Sequence, residues 1–413
     1  MAQTTVNEVQ NSAARNKLIG RALFTETTSR PTTLNNLTGE APKTAENKFM
    51  QTSHKAPVVR VTDLQREAGD EVSMDIVYQL RGGVTMGDKV LKGKEEGLQF
   101  GSFSCKINQG RKAVSAGGKM SQKRSNHDLL STAKTLLDTW YLRYQDQLAL
   151  YHLAGARGDF VDRHTLVPLA SDPSFAEQMV NPILPPTYDC HLFGGDGSCR
   201  SIADIEATDK LTMETIDNLY LYLKEKQLIE PCSLRGDQSE GNPMFVAYCS
   251  ERQLRDLKAS LDAKNWNELI ANAINRSKGW DHPLFKGNDT IMYNNILFKS
   301  YGNLPIRFNA GSTVKETTDS NNAVVTDVTV PGLGADMAVD RMIVLGSQAL
   351  VNAYGSGYNG TPFGMITEKD DYDNQTNIAL SWINGMKKIQ MADSNGRLND
   401  FGVIAIDTAV SLK

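Results

Sequence analysis

Apolar and polar residues alternate through Asp70–Leu80, with Val72, Met74, Ile76 and Tyr78 on one side and Ser73, Asp75 and Val77 on the other. A period of two predicts a strand with one buried face. The alternation resumes in Leu98–Gly110, where Phe100, Phe103, Cys105 and Ile107 hold the apolar positions. Between these strands runs a charged, glycine-studded segment of about 17 residues. Ordinary hairpins need roughly two to five loop residues, and longer loops inside compact domains tend to be functional.

The period then changes to helical. Across Ser125–Gly155, Leu129, Ala133, Leu136, Leu137, Trp140, Tyr144, Leu148 and Tyr151 recur three and four positions apart. Ser125 with Asp128 suggests a capping box, and Gly155 a left-handed stop. Roughly 28 helical residues span about 42 Å, so such a helix needs neighbours along its whole length. A second amphipathic helix is expected at Thr212–Ile229. Further on, PMFVAYCS reads as a buried strand, ERQLRDLKAS as a helix and TDVTV as a strand, while MIVLGSQALVNAYG reads as strand–helix units and FGVIAIDTAV as a buried strand near the end. Helices and strands mix without regular alternation, which predicts an α+β chain rather than a doubly wound sheet.

Two stretches lack a sustained period. Residues 1 to about 56 are rich in Thr, Asn, Ala and Lys, and read as an extended arm with one short helix around Ala13–Phe24. Residues 156–200 are loop-rich and read as an insertion or clamp.

Composition sharpens this picture only in part. The chain has 413 residues, 40% hydrophobic and 22% charged, which is ordinary for a globular protein of two or three compact units. No apolar run approaches the roughly 18 residues that cross a bilayer, and the polar amino terminus lacks the apolar centre of a signal peptide. Five cysteines at irregular positions fit a reducing cytoplasm better than a disulfide scaffold. The net charge of −4 hides an asymmetry: the first 124 residues carry 19 Lys/Arg against 12 Asp/Glu, so they sum to +7 and the rest to −11. That basic third could fold onto the acidic remainder, bind nucleic acid, or meet the next copy of the chain head to tail.

Candidate chemistry is sparse. GDKVLKGKEE, Gly87–Glu96, resembles a phosphate-binding loop, but its glycines stand one residue too far apart. Glu95 also replaces the hydroxyl that would reach Mg²⁺, and its carboxylate would repel phosphate. Cys190, His191 and Cys199 are off the usual zinc spacing, and a fourth ligand from Cys232, Cys249 or His282 follows no pattern. A glycine-rich turn with buried cysteines fits better. Asp370–Asn374 has the acids of a calcium loop without its glycine or distal glutamate. No nucleophile elbow, HExxH pair or dinucleotide fingerprint is present. No catalytic residue, cofactor or metal is expected.

An order of basic arm, strand, long charged loop, returning strand and long helix remains to be explained. It is carried by REAGDEV (Arg66–Val72), LRGG (Leu80–Gly83), GDKVLKGKEEGLQF (Gly87–Phe100), INQGRKAV (Ile107–Val114), GGKMSQKRS (Gly117–Ser125), the Trp140-bearing helix and DFGVIAIDTA (Asp400–Ala409). In these the chain resembles the major capsid proteins of tailed bacteriophages with the Hong Kong 97 fold, closest to the N-four-like podovirus family. Lys92 stands where that family usually has an acidic residue.

The resemblance implies an amino-terminal arm over 1–60 and a strand pair with extended loop over 61–124, its tip at about 80–104. A spine helix and peripheral domain would occupy 125–240, with the insertion at 156–200. An axial domain would follow at 241–365, peripheral strands at 366–398, and a terminal axial strand at 399–413. It implies assembly into pentamers and hexamers of an icosahedral shell around double-stranded DNA, with portal and scaffold or decoration proteins as partners and no membrane. The shell would assemble in the host bacterial cytoplasm. Gly87, Asp88, Lys89, Lys92, Lys94, Glu95 and Glu96 would form the intersubunit contact of the loop. Lys89, Lys92 and Lys94 could also be cross-linked to a neighbour's asparagine, although solvated or ion-paired lysines are commoner. The alternative is a cytoplasmic nucleic-acid-binding protein that uses the basic amino-terminal third.

Overall fold

The computed structural model describes residues 27, 30, 32–39, 52–53, 55–62, 70–77, 83–95, 97, 100–125, 128–195, 197–234, 243–276, 282–285, 290–302, 304–334, 336–357, 361–372, 374–392 and 396–413. The helix expected around Ala13–Phe24, most of REAGDEV and Glu96 lie outside them.

The chain first forms helix α1 (Thr33–Leu37) and strands β1 (Val58–Val61), β2 (Glu71–Val77), β3 (Phe100–Lys106) and β4 (Asn108–Gly118). Helices α2 (Lys119–Arg124), α3 (Leu129–Ala154) and α4 (Pro173–Gln178) follow, then β5 (His191–Phe193) and α5 (Met213–Lys226). Next come β6 (Phe245–Cys249), α6 (Glu251–Ala259), α7 (Ala263–Arg276), β7 (Ile291–Tyr293), β8 (Ile296–Ser300) and β9 (Arg307–Phe308). Then β10 (Thr313–Thr317) and β11 (Val325–Thr329) form a separate pair, followed by β12 (Met337–Leu345) and β13 (Leu350–Tyr354). The chain closes with β14 (Phe363–Asp370), β15 (Gln375–Lys388), β16 (Gln390–Ala392), β17 (Leu398–Asp400) and β18 (Val403–Ser411).

Two sheets organise the body. One has the order β1-β13-β15-β14, with β4 on the other side of β15. The other has the order β5-β18-β12-β6-β8-β7, with β9 also on β12. The mixed α+β architecture matches the expectation. β13 and the start of β14, which the sequence boundaries place within 241–365, pair into the sheet that contains β15. β5 and α5, placed within 125–240, pack with the larger sheet.

Helix α3 begins at Asp128 rather than Ser125: the Asp128 carboxylate accepts from the N–H groups of Leu130 (3.1 Å) and Ser131 (3.2 Å). The Ser125 N–H instead bonds back to Ser121, closing α2. The helix ends as expected at Gly155, where φ is +65° and a Cβ would lie 2.6 Å from the Leu184 oxygen. Its middle packs aromatic rings onto the smaller sheet. Trp140 stacks on Tyr144 at 5.1 Å, and Tyr141 meets Trp382 and the edge of Phe363, each also at 5.1 Å. Gly110 faces Trp382 across the β4–β15 register, and a Cβ there would lie 2.3 Å from the indole, so only glycine fits under the ring. Leu136, expected inward, is 60% exposed.

Two expectations are corrected. The returning strand Leu98–Gly110 is two strands: it breaks at Ile107, whose N–H goes to the Asp70 oxygen, and β4 turns away to pair with β15. MIVLGSQALVNAYG holds no helix, since β12 and β13 enter different sheets across the Gly346 turn. Leu350–Tyr354 is buried on both faces between β1 and β15, which erases the alternation that marks a strand.

The larger sheet is also buried on both faces. α5, α6 and α7 cover one side through Ile216, Leu219, Leu223, Leu257 and Trp266, while the carboxy-terminal half of α3 lies in the cluster on the other. Within it, Arg341 of β12 faces Asp407 of β18. The guanidinium donates from Nε to Oδ1 and from Nη2 to Oδ2, both at 2.7 Å, and from Nη1 to the Ala154 oxygen at 2.9 Å. His191 Nε2 lies 2.8 Å from the same carboxylate. Burial alone would raise the Asp407 pKa, but Arg341 and His191 overcome it and hold the group well below the carboxylate range. Beside this group, Asp340 takes a second two-point contact from Arg307 at 2.7 and 2.8 Å.

The 156–200 stretch is tied down at several points. Gln147 of α3 accepts from the N–H groups of Leu166 and Val167 and donates to the His164 oxygen. Buried Lys388 donates to Asp400 (2.9 Å) and to the Pro185 oxygen (3.1 Å). The arm is anchored too, because the Asp146 carboxylate accepts from the N–H groups of Thr33 and Leu34 at the start of α1.

Candidate functional site

Strands β2 and β3 pair antiparallel from Glu71 with Lys106 to Val77 with Phe100, so the intervening chain extends from the open end of this hairpin. Every described residue of 83–95 is exposed except half-buried Thr85. Gly87 (φ +65°) and Gly93 (φ +87°) supply left-handed bends. A Cβ placed on Gly83, Gly87, Gly93 or Gly97 would find no atom of the rest of the chain within 4 Å. At these glycines the tip therefore stands clear of its own body.

Sequence reasoning brought together Gly87, Asp88, Lys89, Lys92, Lys94 and Glu95, and all six share this exposed tip. The Gly93 N–H donates to Glu95 Oε2 at 2.7 Å, and the Lys94 N–H to the Leu91 oxygen at 3.0 Å, closing a tight turn. A phosphate would have to displace the Glu95 carboxylate from that N–H. What the sequence reading missed is apolar: Val84 (84% exposed), Met86 (71%), Val90 (70%) and Leu91 (62%) all face solvent here. The available signal was four large aliphatics in a segment without any period.

The other candidate residues are engaged elsewhere. Cys190 contacts the Asp400 oxygen, His191 the Asp407 carboxylate, and Cys199 the Asp209 carboxylate. All five cysteines are buried free thiols. Burial pushes Cys105 and Cys190 up to about 12. Among the described residues no group of three or more His, Cys, Asp or Glu is placed to hold a metal ion, and no helix is long and apolar enough to cross a membrane. Asp370, Asp371, Tyr372 and Asn374 are exposed between the paired parts of β14 and β15, and Asn374 Nδ2 donates to Asp371.

The described residues present an exposed, mixed-charge tip, and comparison with known proteins decides the class. The profile of the phage capsid protein family matches residues 7–412, almost the whole chain. The chain belongs to the phage capsid protein family. Like other members of that family it is structural: it forms the capsid shell and is not an enzyme. The chain is 26% identical over 377 residues to the major capsid protein of Pseudomonas phage KPP25, covering 88% of this chain and 90% of that one. It is similar in structure to the capsid of Ralstonia phage GP4, with a TM-score of 0.70 and 30% identity over 93% of this chain and 96% of that one. The capsid asymmetric unit of cyanophage Pam1 shares the fold at a TM-score of 0.56 and 19% identity, over 94% of this chain and 98% of that one. A nucleic-acid-binding protein working through the basic third is not favoured by these matches.

Proposed function

We propose that this major capsid protein has the Hong Kong 97 fold in its N-four-like podovirus form, and that it closes an icosahedral shell of pentamers and hexamers around double-stranded DNA. In this reading α3 is the spine helix, and β2, β3 and the loop between them are the extended loop. The smaller sheet with α3 makes the peripheral domain, now taking in β13 and β14. The larger sheet with α5, α6 and α7 makes the axial domain, and residues 1–60 form the arm. Assembly takes place in the host cytoplasm, with portal and scaffold or decoration proteins as partners.

The loop tip is the observation that carries the reading. Four aliphatic side chains and three lysines stand exposed on a turn whose glycines have open space around them. Leaving such aliphatics in water is unfavourable by about 25 cal/mol per Å² of apolar surface, which a neighbouring subunit relieves. The same patch meeting a different patch on the next copy generates rings. Expression of the full chain, with negative-stain microscopy of the product, tests the reading: closed shells tens of nanometres across are expected (about the size that many subunits of this mass enclose). A strictly monomeric protein that shifts DNA in a gel would overturn it.

A further inference from the structure

We propose that the cavity around the free edge of β5 is a binding site for a small amphipathic anion, an aromatic or branched aliphatic body that carries a carboxylate, sulfonate or similar head. The inference is independent of the loop and goes beyond the forming of a shell.

Strand β5 ends the larger sheet. It pairs with β18 on one side, and among the described residues no strand pairs with its other edge. A cavity of about 460 Å³ runs round that edge, bounded by α5 and by the chain on either side of β5. Sites that enclose small organic molecules span roughly 300–1,000 Å³. Successive strand residues face opposite sides of a sheet. Leu192 and its register partner Ile406 therefore line one side of the cavity, together with Leu219 of α5, and Phe193 lines the other. The walls are held by the chain itself. The Tyr222 hydroxyl donates to the Asp189 oxygen at 2.7 Å, and the Thr215 hydroxyl to the Gly195 oxygen at 3.0 Å. These bonds tie α5 to the chain before and after β5, so the cavity is formed in advance of any occupant.

The polar groups on this lining select the occupant. Arg200 follows β5 and Lys226 ends α5; both are exposed, and among the described residues neither side chain has a hydrogen bond or an ion pair. The one acid among the described lining residues, Asp189, is already paired with Arg397, and Asp196 lies outside the described residues. Two uncompensated cations at one cavity favour an anionic head, while the aliphatic and aromatic lining favours an apolar body. His191 lines the cavity as well. Its Nε2 is engaged by Asp407 at 2.8 Å and by Arg341 at 3.1 Å, whereas its buried Nδ1 has no hydrogen-bond partner. A buried polar atom without a partner is unfavourable, and a ligand that reaches it gains a bond the chain does not make. Burial and the neighbouring Arg341 charge lower the His191 pKa, so this contact is offered by a neutral ring.

Titration of the dispersed full chain with anilinonaphthalene sulfonate tests the site, because this aromatic sulfonate fluoresces on entering apolar surroundings. The exposed aliphatics of the loop also attract such a dye, so the site is defined by variants. N218W places a ring across the cavity from an exposed lining position, and R200E/K226E reverses the two cations. All three positions are exposed, so circular dichroism should match wild type. Binding of about one dye per chain should be lost in N218W and weakened roughly tenfold in R200E/K226E. Phenylnaphthylamine, the same rings without the sulfonate, should bind R200E/K226E as it binds wild type. Equal titrations of wild type and N218W with the sulfonate would overturn the site. Loss in N218W without weakening in R200E/K226E, or equal weakening of both dyes there, would overturn the anionic class of ligand.

Discussion

Arg341 and Asp407 face each other in register on β12 and β18, both fully buried, and the arginine also holds the last carbonyl of the long helix at Ala154. One guanidinium thereby joins the two central strands of the larger sheet to the helix that lines the smaller one. Removing either partner strands a buried charge. Arg341→Met and Asp407→Leu should each destabilise the dispersed subunit by about 3–5 kcal/mol in urea unfolding. The double variant should lose less than the sum of the two by roughly 2 kcal/mol, which a double-mutant cycle measures.

His152, near the end of the same helix, is buried with no hydrogen-bond partner at Nδ1, and burial with nearby Lys388 lowers its pKa to about 4. Its folded pKa lies below the ordinary 6.5, so the unfolded chain binds the proton first. Stability from keeping His152 neutral is complete above pH 6.5 and declines as pH falls to about 4, by up to about 3 kcal/mol. Asp146, pushed up to about 6 by burial, acts in the opposite sense over the lower part of this window. The His152 contribution is therefore read as the difference between wild type and His152→Gln unfolded at pH 7 and pH 4.5. The variant should show the shallower loss on acidification.

Gly385 lies where β15 crosses β3, and a Cβ there would come within 1.9 Å of the Lys106 backbone oxygen. Backbone cannot swing aside as a side chain can. Gly385→Ala should lower stability by about 1–3 kcal/mol or more. Gly83→Ala, with open space around it, should fall within about 0.5 kcal/mol of wild type. Equal effects at the two sites in thermal unfolding would contradict this reading of the β3–β15 crossing.

Deleting residues 87–96, or replacing Val84, Met86, Val90 and Leu91 by serine, should leave the fold and thermal midpoint of the dispersed subunit unchanged, because the described residues of 87–95 and these four aliphatics are exposed. Assembly should fail in both variants. A fall in the thermal midpoint on deletion would show that the loop supports its own subunit instead.

The sequence displays most clearly those elements that face water on one side and carry their own punctuation. The long helix shows its stop at Gly155, and its start is misplaced by three residues only because Ser125 and Asp128 both offer a capping oxygen. β6 is visible as an unbroken apolar run, and β18 as one interrupted only by Asp407 and Thr408 before its last residue. β13 is not, since five buried residues between two strands carry no period. The break at Ile107 is set by distant partners, Asp70 and β15, which no local window contains. The lysines and glycines of the loop tip are evident from composition, whereas its four aliphatics have meaning only once their exposure is known. The Arg341–Asp407 contact leaves a faint trace as lone charges inside apolar strands, but nothing local says that they meet.

The burial of all five thiols has a consequence outside the cell. Where a shell passes from a reducing medium into an oxidising one, an accessible thiolate would form mixed disulfides or be oxidised. Cys105 and Cys190 stay protonated to about pH 12 by burial, and Cys199, Cys232 and Cys249 are likewise shielded from solvent. The subunit can cross that redox boundary chemically unchanged, without needing a disulfide on either side.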